Sequence, residues 1–371
     1  MMRVVTVATV LMLAMAVAAP AQETSSWSTG VTTPEKRQGG PKLLRNDGTR
    51  AQPKGTQPAP GDGALPGSVS TFRPGPASIS THDKTIRPSG DDAAYEAFDQ
   101  GRYLTALELA QKAAEAGDPS AHTLVGRIHQ EGLGVPPDPV LAAKWYRRGA
   151  ELGDREAMFS FGVILADGLG VKKDRAGAAQ MFEAAAQRGH AIANYNLALL
   201  FLHGDGKPEN PFRALAHMRY AAENNIVVAQ YDLGTLYATG TGLPDNRADA
   251  LEAARWIGRA AAAGHAEAEL EYATMLYRGM GLEADRPKAL GYLKSAAEKG
   301  LPVAQNRLAR VLANGLETER DTLEAAIWHL VAKSRGIADP DLDAVVAKLP
   351  RAERRRAEQA AEQRRDLLAI R

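Results

Sequence analysis

The residues of this chain that could do chemistry are few, and their spacing forms no catalytic centre. The absence of cysteine excludes disulfides, thiolate metal ligands and a thiol nucleophile. None of the serines is followed three residues later by lysine, and neither G-x-S-x-G nor H-E-x-x-H occurs. His122 and His129 lie seven residues apart on a predicted helix, but no carboxylate at ligand spacing completes a metal site. We therefore predict a protein that is not an enzyme and that binds no cofactor and no metal.

Two alternative functions remain open at this stage. An envelope hydrolase would need two carboxylates that face each other across a groove. The candidate carboxylates, which share no distinctive spacing, are Glu156, Asp167 and Glu267. A cell-wall or carbohydrate-binding module would need exposed indole rings. The candidate indoles, which occupy one recurring helical position and therefore favour a core role, are Trp145, Trp256 and Trp328.

A repeat of three dozen residues positions all of these side chains. The residues that close the successive units are Gly117, Gly153, Gly189, Asn225, Gly264, Gly300 and Gly336. Alanine recurs four residues after each closing residue up to Gly300, and glycine recurs fifteen residues after it. Repetition in step over many positions predicts stacked supersecondary units that share one continuous core.

Each unit is predicted to be a helix, a glycine-rich turn and a second helix. Apolar residues follow the helical period in the first half of a unit, as Leu197, Leu200 and Phe201 show. Aspartate or asparagine, the preferred N-cap residues, recurs where the second helix should begin, as at Asp138. The single Asn225 among the closing glycines fits a helix end in left-handed geometry, which accepts glycine first and asparagine second.

The pattern resembles the Sel1-like repeat, a relative of the tetratricopeptide repeat. The unit that carries it best shows, in order, Ala121, Gly126, Gly132, Gly134, Asp138, Ala142, Trp145, Gly149 and Gly153. The resemblance covers about 246 of the 371 residues. It implies an all-α fold, an αα-superhelical solenoid of helix-turn-helix repeats, and a role as a protein–protein interaction scaffold or adaptor. Similarity to exported bacterial members implies, as one such role, regulation of an envelope signalling protein.

The first 21 residues have the three parts of a secretory signal peptide, with a basic start, an apolar run and an A-x-A site before a predicted cleavage after Ala21. The alternative is an uncleaved membrane anchor. Residues 22–90 hold 9 Pro and 10 Gly and carry a net charge of +4, a composition typical of a disordered linker. We expect a periplasmic or secreted monomer without an integral membrane segment after cleavage.

The domain organisation that follows is a repeat solenoid over 91–336, preceded by the signal peptide and linker and closed by capping helices over 337–371. The solenoid is predicted to consist of a half unit, 91–116, and six units, 117–335. Its 27 basic and 32 acidic residues argue against nucleic acid as a ligand.

A protein partner is predicted to bind in the solenoid groove. Positions six, ten and thirteen after each closing residue lie beside the predicted core positions on the first helix. In the middle units these positions are apolar and rich in tyrosine, and at the ends they turn polar, which is typical of an interaction surface. The predicted groove residues are Phe159, Val163, Tyr195, Leu199, Leu202, Tyr231, Leu270 and Tyr277. The alternative is that these side chains pack one unit against the next.

Overall fold

The computed structural model describes residues 90–369, and every regular element in this range is helical. The predicted signal peptide and, except for Gly90, the predicted linker lie outside the described residues. The described residues fall into two compact units, 90–174 and 175–369. Within the described range, no helix combines the length and the apolar character that a membrane crossing requires.

The amino-terminal unit is a series of five helices in which each helix packs against the next. They are α1 (Gly90–Asp99), α2 (Tyr103–Glu115), α3 (Pro119–Glu131), α4 (Pro139–Glu151) and α5 (Arg155–Asp167). The segment predicted to be a half unit thus contains two helices, α1 and α2. The core between them and α3 is built from small residues such as Ala106 and Ala110 and from Leu124 and Ile128.

The carboxy-terminal unit continues the alternation of first and second helices. Its helices are α6 (Arg175–Gln187), α7 (Ala191–His203), α8 (Pro211–Glu223), α9 (Val227–Thr239), α10 (Ala250–Ala262), α11 (Ala266–Arg278), α12 (Arg286–Glu298), α13 (Pro302–Asn314), α14 (Thr322–Ser334), α15 (Pro340–Lys348) and α16 (Arg351–Ala369). A single 3-10 turn, Pro244–Asn246, occupies the loop that carries the three extra residues of the longest repeat. Both flanking helices keep 13 residues, so the insertion leaves the repeat register unchanged.

The predicted helix caps are confirmed. The side chains that accept a hydrogen bond from the backbone N–H three residues on are those of Asp138, Asn210, Asp249, Asp285 and Asp321. Asn225 adopts the left-handed conformation that its position predicted, with φ of 63°. His190 and His265 are also N-caps, because their Nδ1 atoms accept from the amides of Ala193 and Ala268. Both histidines therefore have a structural role at the start of a helix.

The second glycine of four turns, Gly170, Gly206, Gly242 and Gly281, is required by close contact with the backbone of the preceding repeat. A Cβ atom on Gly206 would lie 2.3 Å from the carbonyl oxygen of Arg175, where the preceding second helix begins. The sequence departs from this pattern at Glu317, which keeps the left-handed backbone with φ of 55°. Its carboxylate compensates by forming an ion pair of 3.2 Å with Arg286, at the start of the preceding second helix.

Helices α15 and α16 close the carboxy-terminal end, close to the predicted bounds of the capping helices. Asp339, 1% exposed, is the N-cap of α15 and also accepts hydrogen bonds from Asn306 and from both Nε and Nη2 of Arg310. Arg364 of α16 pairs with Glu324 at 2.7 Å and lies over the ring of Trp328. These contacts fix the two capping helices to the last repeat.

Candidate partner-binding surface

Half of the predicted groove residues lie deeper than the sequence analysis expected. Phe159 and Val163 on α5 and Tyr195 and Leu199 on α7 are buried. The half-buried members of the set are Leu202, Tyr231, Leu270 and Tyr277. The prediction of an open apolar strip is therefore wrong for these four buried residues. Their side chains point further toward the core than the predicted helical phase implied. Partner binding through the half-buried four stays a prediction.

In the amino-terminal unit, Phe159 and Val163 line one side of a cavity of about 270 Å³ between α1, α3, α4 and α5. The cavity is closed on its other sides by Tyr95, Arg127 and Tyr146, among others. Burial is the main cause that raises the pKa of the Tyr95 and Tyr146 hydroxyls, so both stay protonated and can donate. The cavity combines apolar walls with hydrogen-bonding groups, and its lining also includes two carboxylates, Glu131 on α3 and Glu156 on α5.

In the carboxy-terminal unit, tyrosine hydroxyls on one repeat donate to carboxylates on the next. The Tyr195 hydroxyl on α7 lies 2.8 Å from Oδ2 of Asp232 on α9. The Tyr231 hydroxyl on α9 lies 3.2 Å from Oε2 of Glu271 on α11. Since the donors occupy one recurring position and the acceptors another, we call Tyr195, Asp232, Tyr231 and Glu271 the tyrosine–carboxylate row.

The row lies against an apolar core cluster. Leu199 and Tyr195 belong to the core cluster around α7 to α11, and Leu202 and Tyr231 pack against it. The His265 ring stacks on Tyr231 with 4.9 Å between ring centroids. Burial lowers the pKa of His265, which keeps this ring neutral and able to accept the cap hydrogen bond from α11.

Both carboxylates of the row are electrostatically unusual. Burial raises the pKa of Asp232 to about 6, although the hydrogen bond from Tyr195 opposes the shift. Burial raises the pKa of Glu271 to about 7, against the opposing effects of Tyr231 and of the Arg307 charge. Acids that titrate near neutral pH in a partly enclosed surface are typical of functional sites.

Arg307 on α13 lies next along the row. Its Nη1 atom donates to Oγ1 of Thr274 at 3.0 Å, and burial lowers its pKa. The positive charge of Arg307 lowers the pKa of Glu271, although the two side chains form no ion pair. The positive charge of Arg278 further lowers the pKa of Arg307. The row therefore ends at a cation that is held by a neutral hydroxyl.

Sequence reasoning did not identify Asp232 or Glu271 as site residues. One signal for Asp232 was present, because α7 and α9 together contain no other aspartate, glutamate, lysine or arginine. An acid that is alone among the residues of two otherwise apolar helices indicates a position that does not contribute to the hydrophobic core. The pairing with Tyr195 was not readable, because it depends on how adjacent repeats rotate against each other.

The side chains considered for hydrolysis do not form a pair in α5. Glu156 and Asp167 stand at opposite ends of that helix, about 16 Å apart along its axis, which exceeds the separation that glycoside hydrolases use. Glu267 is exposed and lies 3.5 Å from His265. Over residues 90–369, no group of three or more histidine, aspartate or glutamate residues has the geometry to hold a metal ion.

The indoles considered for carbohydrate binding are mainly core residues. Trp256 and Trp328 are 4% and 6% exposed, and the Trp256 Nε1 donates to Glu252 within its own helix. Trp145 is half-buried, and its ring lies 5.5 Å from the His122 ring at a tilted angle of 58°. Buried rings of this kind offer little surface to a sugar.

Comparison with known proteins agrees with the helical arrangement. The family model described as Sel1 repeat matches seven consecutive segments, 103–118, 119–154, 155–190, 191–226, 227–265, 266–301 and 302–336. The chain belongs to the Sel1 repeat family. The resemblance found in the sequence and the fold class, an all-α solenoid of helix-turn-helix repeats, are thereby confirmed.

Two solved structures are similar at 26% sequence identity. A protective antigen present in uropathogenic Escherichia coli strains, which displays an SLR fold, aligns over 74% of this chain and 68% of its own with a TM-score of 0.53. A Sel1 repeat protein from Oxalobacter formigenes aligns over 68% of this chain and 100% of its own with a TM-score of 0.58. No protein of curated function matches the chain. Sel1-repeat proteins typically act as protein-interaction scaffolds and are generally not catalytic.

Proposed function

We propose that this protein is an exported, non-catalytic interaction scaffold that binds a protein partner along the first helices of residues 175–369. The observation that carries the proposal is the tyrosine–carboxylate row, which holds two half-buried acids against an apolar core cluster. Apolar surface with a few fixed polar groups is how protein interfaces combine affinity with specificity. Family membership supports the same general role.

Export is part of the proposal and rests on the sequence of the first 21 residues. An exported scaffold would meet partners of the cell envelope. A signalling protein of the envelope is the partner class that the resemblance to exported bacterial members implies. Amino-terminal sequencing of the protein from a periplasmic fraction should give Gln22 as the first residue, whereas a membrane-bound chain that starts at Met1 would contradict cleavage.

Site-specific photocrosslinking tests partner binding. The photoreactive residue p-benzoylphenylalanine replaces Leu202, a half-buried residue on the helix that carries Tyr195, in the full chain. The matched control replaces Leu251 on α10, a residue of the same type that is 69% exposed. We expect one discrete crosslinked protein from position 202 in intact cells and none from position 251. Crosslinking of that protein from position 251 but not from position 202 would contradict the proposed surface.

A further inference from the structure

We propose that Asp232 and Glu271 bind lysine or arginine side chains of a partner segment that is otherwise apolar. This inference rests on the proposed function and names the chemistry of the partner at the same surface. The expected ligand is a positively charged peptide segment and not a metal ion or a neutral helix.

Asp232 and Glu271 differ in their pairing from other buried acids of the carboxy-terminal unit. Glu269 is buried and pairs with Lys299, and Asp339 is buried and pairs with Arg310. Over residues 90–369, no lysine or arginine forms an ion pair with Asp232 or Glu271. The chain therefore neutralises comparable acids with its own cations and leaves these two to tyrosine hydroxyls.

The two carboxylates have hydrogen-bonding capacity that the tyrosine hydroxyls do not fill. An ionised carboxylate accepts about four hydrogen bonds, and a tyrosine hydroxyl supplies one. Asp232 is half-buried, and within residues 90–369 its carboxylate receives a hydrogen bond only from the Tyr195 hydroxyl, at Oδ2. An ammonium or guanidinium group would supply charged donors in a region of low dielectric, where such bonds are strongest.

The side chains near the two acids also favour a lysine or arginine. The aliphatic stem of a lysine or arginine packs well on apolar and aromatic surface while its charged end reaches a carboxylate. Leu202 and Tyr231, which are half-buried and pack on the same apolar cluster, provide such surface. An anionic ligand would meet two acids here, and the acids themselves belong to no cluster that could hold a metal ion.

The energetic cost of these acids supports the same conclusion. Their ionised forms are disfavoured by burial, and each accepts one hydrogen bond from a tyrosine of the preceding repeat. Buried ionisable groups whose charged form costs stability are typical of binding sites, where the ligand offsets the cost.

Peptide binding tests the inference on the full chain. The probe is an acetylated and amidated pentapeptide with arginine between two leucines, and the matched probe has citrulline, a neutral isostere, in place of arginine. Carbon-13 labels on the tyrosine ζ carbons report Tyr195 and Tyr231 by NMR at pH 8. We expect saturable shifts of both signals with the arginine peptide and at least about tenfold weaker binding of the citrulline peptide.

Three variants assign the effect. Asp232→Asn and Glu271→Gln keep the side-chain shape and should each weaken arginine-peptide binding at least about tenfold. Glu223→Gln removes one exposed charge from α8 and should leave binding within about twofold, because surface charges are screened. Equal binding of the two peptides, unchanged binding by the Asp232 variant, or equal shifts with calcium chloride alone would overturn the inference.

The crosslinking experiment separates this inference from the proposed function. If position 202 captures its partner but the arginine peptide does not bind, the surface is an interface and the cation inference is wrong. If position 202 captures no protein, the proposed function itself is wrong, whether or not the arginine peptide binds.

Discussion

Replacement of Glu271 by glutamine should stabilise the protein at alkaline pH. The substitution removes a carboxylate whose ionised form is disfavoured by burial. The amide oxygen of glutamine can still accept the hydrogen bond from Tyr231, so the contact between α9 and α11 is kept. A gain in stability is unusual for a substitution at a half-buried polar residue, most of which destabilise.

The magnitude follows from the shift in pKa. Burial raises the pKa of Glu271 from 4.5 to about 7, which corresponds to an upper bound of about 3 kcal/mol in unfolding free energy at pH 8. Because the side chain is partly solvated, we expect about 1–2 kcal/mol. The folded-state pKa of this acid is raised, so its contribution is fully favourable below pH 4.5 and is lost as the pH rises through 7.

Urea unfolding followed by circular dichroism checks this expectation at several pH values between 4.5 and 8. The variant should unfold at nearly the same urea concentration as the wild type at pH 4.5 and at a clearly higher concentration at pH 8. Because repeats can unfold partly on their own, hydrogen exchange of the α11 amides provides a local measurement.

The control is Glu223→Gln, which removes an exposed acid from α8 and should show no such pH dependence. A stability difference that is the same at both ends of the pH range would show that burial of the Glu271 charge is not its cause. Destabilisation of the Glu271 variant at pH 8 would refute the reasoning outright, since it would mean that the carboxylate stabilises the fold.

Three further predictions concern the structural contacts of the carboxy-terminal unit. Asp339→Ala should cost about 3 kcal/mol, because it leaves Arg310 buried without its bidentate partner, and limited proteolysis should then cut α15 and α16 first. His265→Ala should cost about 1 kcal/mol at pH 8 through loss of the α11 cap. Since burial lowers the pKa of His265 from 6.5, its wild-type contribution is present above pH 6.5 and is lost as the pH falls, so the cost measured by urea unfolding should shrink in acid. Gly206→Ala should cost about 2 kcal/mol because of its φ of 80° and the carbonyl 2.3 Å from the added Cβ, whereas Gly291→Ala, in open space within α12, should raise the melting temperature slightly.

The glycine pair also tests how the repeat is maintained. Gly206 and Gly291 both lie in the carboxy-terminal unit, residues 175–369, but only Gly206, in the turn, approaches the backbone of the preceding repeat. If both substitutions had equal effects, the repeated glycine would reflect local backbone freedom alone and not the approach of neighbouring units.

Much of the fold was readable from the sequence because it depends on local interactions. Asp138 and the other caps satisfy amides three residues away, and Asn225 ends a helix through its own backbone conformation. The core positions Leu197 and Leu200 follow the helical period and are fully buried. Interactions of this range recur in every unit, so the repetition itself reveals them.

The binding surface was less readable, because it depends on contacts between units. The sequence placed Tyr195 and Leu199 beside the core, but the rotation of α7 against its neighbours buries both side chains. The partners of Tyr195 and Tyr231 lie 37 and 40 residues away in the chain. No helical period links residues at that separation.

The sequence by itself therefore determined the helices, their caps, their turns and the family to which the chain belongs. Only the tertiary structure decided which of the predicted groove residues are buried and that Asp232 and Glu271 form no ion pair with a lysine or arginine of the described residues. The physical reason is that caps and turns are satisfied within one unit, whereas the burial and the pKa of Asp232 and Glu271 depend on the side chains that the next repeat brings against them.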